Sequence, residues 1–202
     1  MDYEALYERI LRKVDEKAYL PWFDSVDDET RAATTTLAEL LGQPDFDPGQ
    51  ARSLAHALHG AGRIDRVVLL STLHAIAASP QVRDYDLAAR LVAEQEQAAM
   101  ELGGPRLQVN LASVERHRGV LAFLQGHYDL ALDYFSRAFE RQRTAGNLSN
   151  VLATLLRLGD PDEAVDLYRQ VARGLPRPLV EQLDHIIRID PDLARLRPEL
   201  DA

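Results

Sequence analysis

The sequence predicts an all-α fold of stacked antiparallel helical hairpins, on three observations. Apolar residues recur at three- and four-residue spacing along almost every segment, with no convincing strand alternation. Glycine and proline fall between those segments and punctuate them. In the second half, Gly126, Ala131, Phe135 and Ala138 are answered 33 residues later by Gly159, Ala164, Tyr168 and Val171. An echo of that period marks a unit that buries its apolar face by stacking on its neighbour.

Each element follows from the same reasoning. Leu6, Ile10 and Val14 predict a helix over 2–20, stopped by Pro21. A second helix is expected over 27–41, with Asp27, Asp28 and Glu29 in its first turn, where the amide dipoles favour negative charge. Residues 42–49 read as a loop, and a short helix over 50–59 is closed by Gly60-Ala61-Gly62. The helix over 63–78 has an apolar arc wide enough for more than one neighbour, through Ile64, Val67, Leu70, Leu73 and Ile76. Ser79-Pro80 turns the chain into a helix over 84–102, which Gly103-Gly104-Pro105 ends. Helices at 107–125 and 128–143 are joined at Gly126-His127, and helices at 147–158 and 162–173 at Gly159-Asp160-Pro161. A last helix covers 178–188, and Asp190-Pro191 opens a short final turn. Gly126 and Gly159 suit the left-handed residue that ends a helix, and Asp160 is placed to cap the helix that begins at Pro161. Ala131 and Ala164 mark the closest helix approaches, with Phe135 and Tyr168 one turn on. The organisation expected is an N-terminal helical region, 1–60, packed on a repeat region, 61–202. The latter holds hairpins at 64–102, 107–143 and 147–173 and a cap at 178–188.

Composition narrows the function. The chain has 202 residues and no cysteine, which excludes disulfides, thiolate nucleophiles and cysteine-ligated metal sites. Its net charge is −9, and residues 1–50 hold 12 acids against 5 bases, so no nucleic-acid partner is expected. Met1-Asp2-Tyr3-Glu4 lacks the basic start and apolar run of a signal peptide, and no 18-residue apolar stretch exists. The expected location is cytoplasmic, with no membrane partner.

The unit Gly119…Gly126-His-Tyr128-Asp-Leu-Ala131…Phe135…Ala138-Phe139 resembles the tetratricopeptide repeat family. The next unit, Leu152…Gly159-Asp-Pro161…Ala164…Tyr168…Val171 with Pro176, is similar but departs at Leu152, Pro161 and Val171. Tyr85, Ala88 and Val92 echo the pattern at an offset of 43. The resemblance covers 112–176 closely and 64–111 loosely. It implies a right-handed α-solenoid with an N-terminal extension and a C-terminal capping helix. It also implies a non-catalytic scaffold that docks a peptide or helix of a partner protein on the first helix of each pair. The groove residues it implies are Arg116, His117, Val120 and Phe123 from one hairpin, and Asn150, Ala153, Leu156 and Arg157 from the next. Val120, Glu181 and Asp184 stand where the family's carboxylate clamp needs polar or basic groups, so binding of acidic chaperone tails is not expected.

Other constellations are weaker. His56 and His59 can share a helix face but lack a carboxylate within one turn, and His74 sits among Leu70, Leu73 and Ala77 as a packed side chain. No metal and no cofactor is expected. Asp24, Asp27, Asp28, Asp45 and Asp47 lack the glycine and terminal glutamate of a calcium loop and read as helix-start and loop residues. Trp22 and Phe23 either plug the N-terminal helices onto the core or anchor a partner or a second copy of the chain. The expectation is a binding scaffold without catalytic residues. The alternatives are a helical regulatory domain that takes a small ligand or homodimerises, and an enzyme gathering His56, His59 or His74 with carboxylates.

Overall fold

The computed structural model describes residues 27–43 and 45–200. The helix expected over 2–20 and the Trp22–Phe23 pair lie outside the described residues. The described residues are helical throughout, and they pack as two compact units, 27–121 and 122–200.

In the first unit, four helices begin on an aspartate whose carboxylate takes an otherwise unpartnered amide. Asp27 accepts from Thr30 N at 2.8 Å ahead of α1 (Asp28–Leu41). Asp47 accepts from Gly49 N at 2.7 Å ahead of α2 (Pro48–Gly60), where Pro48 supplies a preset first turn. Asp65 and Asp84 accept from Val68 N and Leu87 N, each at 2.9 Å, ahead of α3 (Arg66–Ala78) and α4 (Tyr85–Leu102). The acids read as helix starts at 27 and 47 do that work.

As its wide apolar arc predicts, α3 packs against α2 on one side and α4 on the other. Ala33, Leu37, Ala55, Ile64 and Leu69 join α1 and α2 to it. Val67, Leu70, Ala88, Leu91 and Val92 continue the core toward Val114 and Leu121 of α5 (Leu107–Leu124). Ala88 is fully buried, so a larger residue there would force α3 and α4 apart.

The second unit contains the 33-residue echo, and the backbone repeats with it. At the end of α5, Gly126 has φ +78°, Gly126 N donates to Phe123 O at 3.0 Å and His127 N to Ala122 O at 2.8 Å. At the end of α7 (Ala145–Leu158), Gly159 has φ +90°, Gly159 N donates to Leu156 O at 3.3 Å and Asp160 N to Leu155 O at 3.1 Å. Both are the paired closure of a helix on a left-handed residue. Gly159→Ala should cost about 1–2 kcal/mol, because the strain is conformational and a new Cβ would meet nothing within 4 Å. Gly146→Ala, inside α7 and equally open, serves as the control. Urea midpoints for the two variants check this, and equal midpoints would contradict it.

The echoed side chains are core. Ala131, Phe135 and Ala138 of α6 (Tyr128–Arg141) and Ala164, Tyr168 and Val171 of α8 (Pro161–Gly174) are all buried. Asp160 occupies the N-cap position of α8, but its side chain makes no capping bond, contrary to expectation. Its backbone, at φ −110° and ψ 62°, already completes the closure of α7. The Tyr168 hydroxyl donates to Asp184 Oδ1 at 2.9 Å, fastening α8 to α9 (Arg177–Ile189). Burial and this bond raise its pKa.

Helix α7 is the hub of this unit, packing on α6, α8 and α9. Its start is one turn more deliberate than the sequence suggests. Thr144 accepts from Asn147 N at 3.1 Å, and Asn147 Nδ2 donates to Gln142 O at 2.8 Å and Ala138 O at 3.4 Å. One buried amide thereby serves a last-turn carbonyl of α6 and that of Gln142, which follows the helix. The short final turn expected after Asp190 is instead a ten-residue 3-10 segment, Pro191–Leu200, which packs on α7, α8 and α9. Leu193 and Leu196 are fully buried, because side chains three apart align on one side of a 3-10 helix.

Candidate functional site

The densest polar cluster in the first unit joins α3, α4 and α5. His117 is 5% exposed, and its Nδ1 lies 2.8 Å from Gln95 Oε1. An amide oxygen only accepts, so Nδ1 carries the proton and Nε2 is left to accept. Ser71 Oγ and Arg116 Nη2 approach Nε2 at 3.3 and 3.4 Å. Gln95 Nε2 donates in turn to Ser113 Oγ at 3.4 Å, which also takes Arg116 Nη2 at 3.4 Å.

His74 stacks on His117, with ring centroids 4.3 Å apart and planes inclined by 23°. It is 1% exposed, and neither ring nitrogen has a hydrogen-bond partner. Burial, with the Arg116 charge second, holds its pKa down to about 4. Burial, Arg116 and then His74 push His117 well below the ordinary imidazole range. Both rings are therefore neutral near pH 7, and packing one apolar imidazole face on the other avoids a like-charge pair.

Ser71, His117 and Gln95 repeat the order of hydroxyl, imidazole and orienting group found in nucleophilic relays. The electrostatics oppose that use. Gln95 brings no charge to stabilise an imidazolium, and Arg116 disfavours one. Ser71 also sits inside α3, where the neighbouring amides already serve the helix and none is free to hold an oxyanion. What the cluster does is fix the register of three helices.

The sequence-derived groove residues divide between the two units. In the first, Arg116 is exposed, Val120 is half-buried, and His117 is buried in the cluster and not on an open face. Its pull inward is the Gln95 bond, a partner 22 residues away that periodicity does not reveal. Arg118, one step on, pairs with Glu96 through two bonds of 3.3 and 2.6 Å. In the second, Phe123 packs edge-on to Tyr128 at 5.2 Å and supports the turn. Asn150, Ala153 and Leu156 form a half-buried stripe along α7 that ends at exposed Arg157. Arg157 Nη2 reaches Asp192 Oδ1 at 2.5 Å. No sequence signal short of the Leu193–Leu196 spacing marks that contact.

His56 is exposed, while His59 Nδ1 meets Ile64 O at 3.0 Å and so holds the turn into α3. Among the described residues, no three histidines, aspartates or glutamates gather as a metal site. None of the described helices is long and apolar enough to cross a membrane. A cavity of about 150 Å³ lies between α2, α3 and α4, lined by Pro48, Arg52, Leu73, Ile76, Val82 and Leu91.

These features define an all-α protein of sequentially packed helix pairs, repeat-like in architecture and built for contact between helices. Comparison of the chain with protein-family models, with curated proteins and with solved structures finds no match.

Proposed function

We propose that this chain is a non-catalytic protein-binding scaffold of the tetratricopeptide type, with the right-handed stacking of that family and a cytoplasmic location. One observation carries the reading. The 33-residue echo recurs in the backbone closures at Gly126 and Gly159 as well as in the buried alanines and aromatics. The second helix of each pair is thereby committed to packing. The first helices, α5 and α7, offer Arg116 on one and the Asn150–Ala153–Leu156 stripe with Arg157 on the other. Guanidinium and amide groups beside partly exposed aliphatic surface suit the carboxylates and backbone of a peptide.

The small-ligand alternative draws less support. The cavity of about 150 Å³ between α2, α3 and α4 falls below the roughly 300–1,000 Å³ usual for ligand pockets, and the larger hollow of about 530 Å³ beside Thr144, Glu181 and His185 is a shallow one open to solvent. The test is capture of partners from a native lysate by the intact chain and by Arg116→Glu/Asn150→Ala. Loss of specific partners from the variant, with its helical circular dichroism retained, is the expected result. An unchanged partner set would remove these two faces from the function.

A further inference from the structure

We propose that the 3-10 segment Pro191–Leu200 is a displaceable internal occupant of a peptide-docking face formed by α7, α8 and α9, to the last of which Arg197 also ties it through Ile187 O at 3.3 Å. The external occupant of that face is a partner peptide with two leucines three residues apart, flanked on either side by an acid that meets Arg157 or Arg169. The proposal rests on the scaffold reading above and names the chemistry of the partner.

Four contacts define how the segment sits. Leu193 and Leu196 are fully buried beneath it. Asp192 pairs with Arg157 of α7 at 2.5 Å, and Glu199 pairs with Arg169 Nε of α8 at 2.7 Å. The segment thus reads acid-Leu-x-x-Leu-x-x-acid, and the face reads as an apolar seat between two arginines on different helices. The tetratricopeptide resemblance implies Arg157 as a groove residue, and the residue it meets, Asp192, belongs to the 3-10 segment of the same chain.

The segment also has the properties of something that can leave. A ten-residue 3-10 run is longer than the three or four residues this helix type usually sustains. Pro198 lies within it and brings no amide donor. Its order therefore comes from the surface it lies on. Arg157 and Asp192 keep 49 and 38% of their side-chain surface in solvent, so that ion pair is open to exchange with an incoming acid, while the second pair is exposed on Arg169, at 51%, and sheltered on Glu199, at 16%. Occupation in cis then sets a threshold that a partner must exceed, with local concentration favouring the tethered segment.

A fluorescein-labelled peptide of residues 189–200 is titrated into the full-length chain and two variants of it. Asp192→Lys/Glu199→Lys sets the segment's own charges against Arg157 and Arg169 while leaving the face intact. Leu193→Gln/Leu196→Gln loosens the segment through its leucines. Circular dichroism and hydrogen exchange of residues 191–200 accompany each titration. Both variants should bind the peptide more tightly than the native chain, the charge-reversed one by about tenfold, the effect of two modest ion pairs. Adding Arg157→Glu and Arg169→Glu to the charge-reversed chain should abolish the gain. Peptide that binds neither variant overturns the proposal and makes the segment a fixed cap. Lysate partners that still depend on Arg116 would in that case leave the scaffold reading standing.

Discussion

Acidification from pH 7 to pH 5 should lower the stability of this protein by about 2 kcal/mol through His74, with His117 adding a loss in the same direction. The sign follows from the direction of the shifts. Both imidazoles are held below their ordinary value in the folded chain, His74 at about 4. Between that value and the unfolded 6.5, the unfolded chain binds protons that the folded chain refuses. Stability is therefore complete above pH 6.5, falls as pH drops through the window, and loses nothing further from His74 once pH is below about 4. A fall of about 5 °C or more in thermal midpoint is expected between pH 7 and pH 5. His74→Phe keeps a flat ring against His117 and removes one titrating group, so its midpoint should fall clearly less than that of the native chain. A native-like slope in that variant would show that the stacked pair is not the source. The charged groups facing the pair strengthen the case, since Arg116 adds a positive charge where the rings would otherwise acquire theirs.

Phe139→Ala should cost about 3–5 kcal/mol, the range for removing a fully buried aromatic ring from a packed core. Phe139 is 0% exposed and lies one residue after Ala138 on α6, a helix that packs on α7. Against a total stability of about 5–15 kcal/mol, one such change removes roughly a fifth or more. The urea midpoint of the variant, read by circular dichroism at constant slope, measures the effect. A loss below about 1 kcal/mol would mean that α6 and α7 close over the gap and are far less tightly constrained than the burial suggests.

The regular parts of this fold are those where local chemistry and burial agree. Helix α3 is legible because its arc of Val67, Leu70 and Ile76 has only one explanation, burial on two sides. Gly126 and Gly159 are legible because a left-handed backbone is costly for any other residue. Helix starts shift by one to three residues where a side chain decides the boundary, as at Asp47, Asp65 and Thr144. The site is less legible because its defining contacts are long-range and polar. Gln95 meets His117 across 22 residues, and Arg157 meets Asp192 across 35. Neither spacing carries a period. The 3-10 segment hides for a related reason, since a leucine pair three apart looks like a fraying helix end until its seat is known.

The aspartates that open α1 to α4 bear on the order in which the chain comes together during synthesis. Asp27, Asp47, Asp65 and Asp84 each secure their own helix with a partner two or three residues away. In α6, α8 and α9 no side chain does so. Helices of the first kind have their nucleation eased by residues already present when they leave the ribosome. Those of the second kind must wait for neighbours still to be made. Translation therefore delivers four self-starting helices in succession, and of the later ones α7, capped by Thr144, is the one that α6, α8 and α9 pack on.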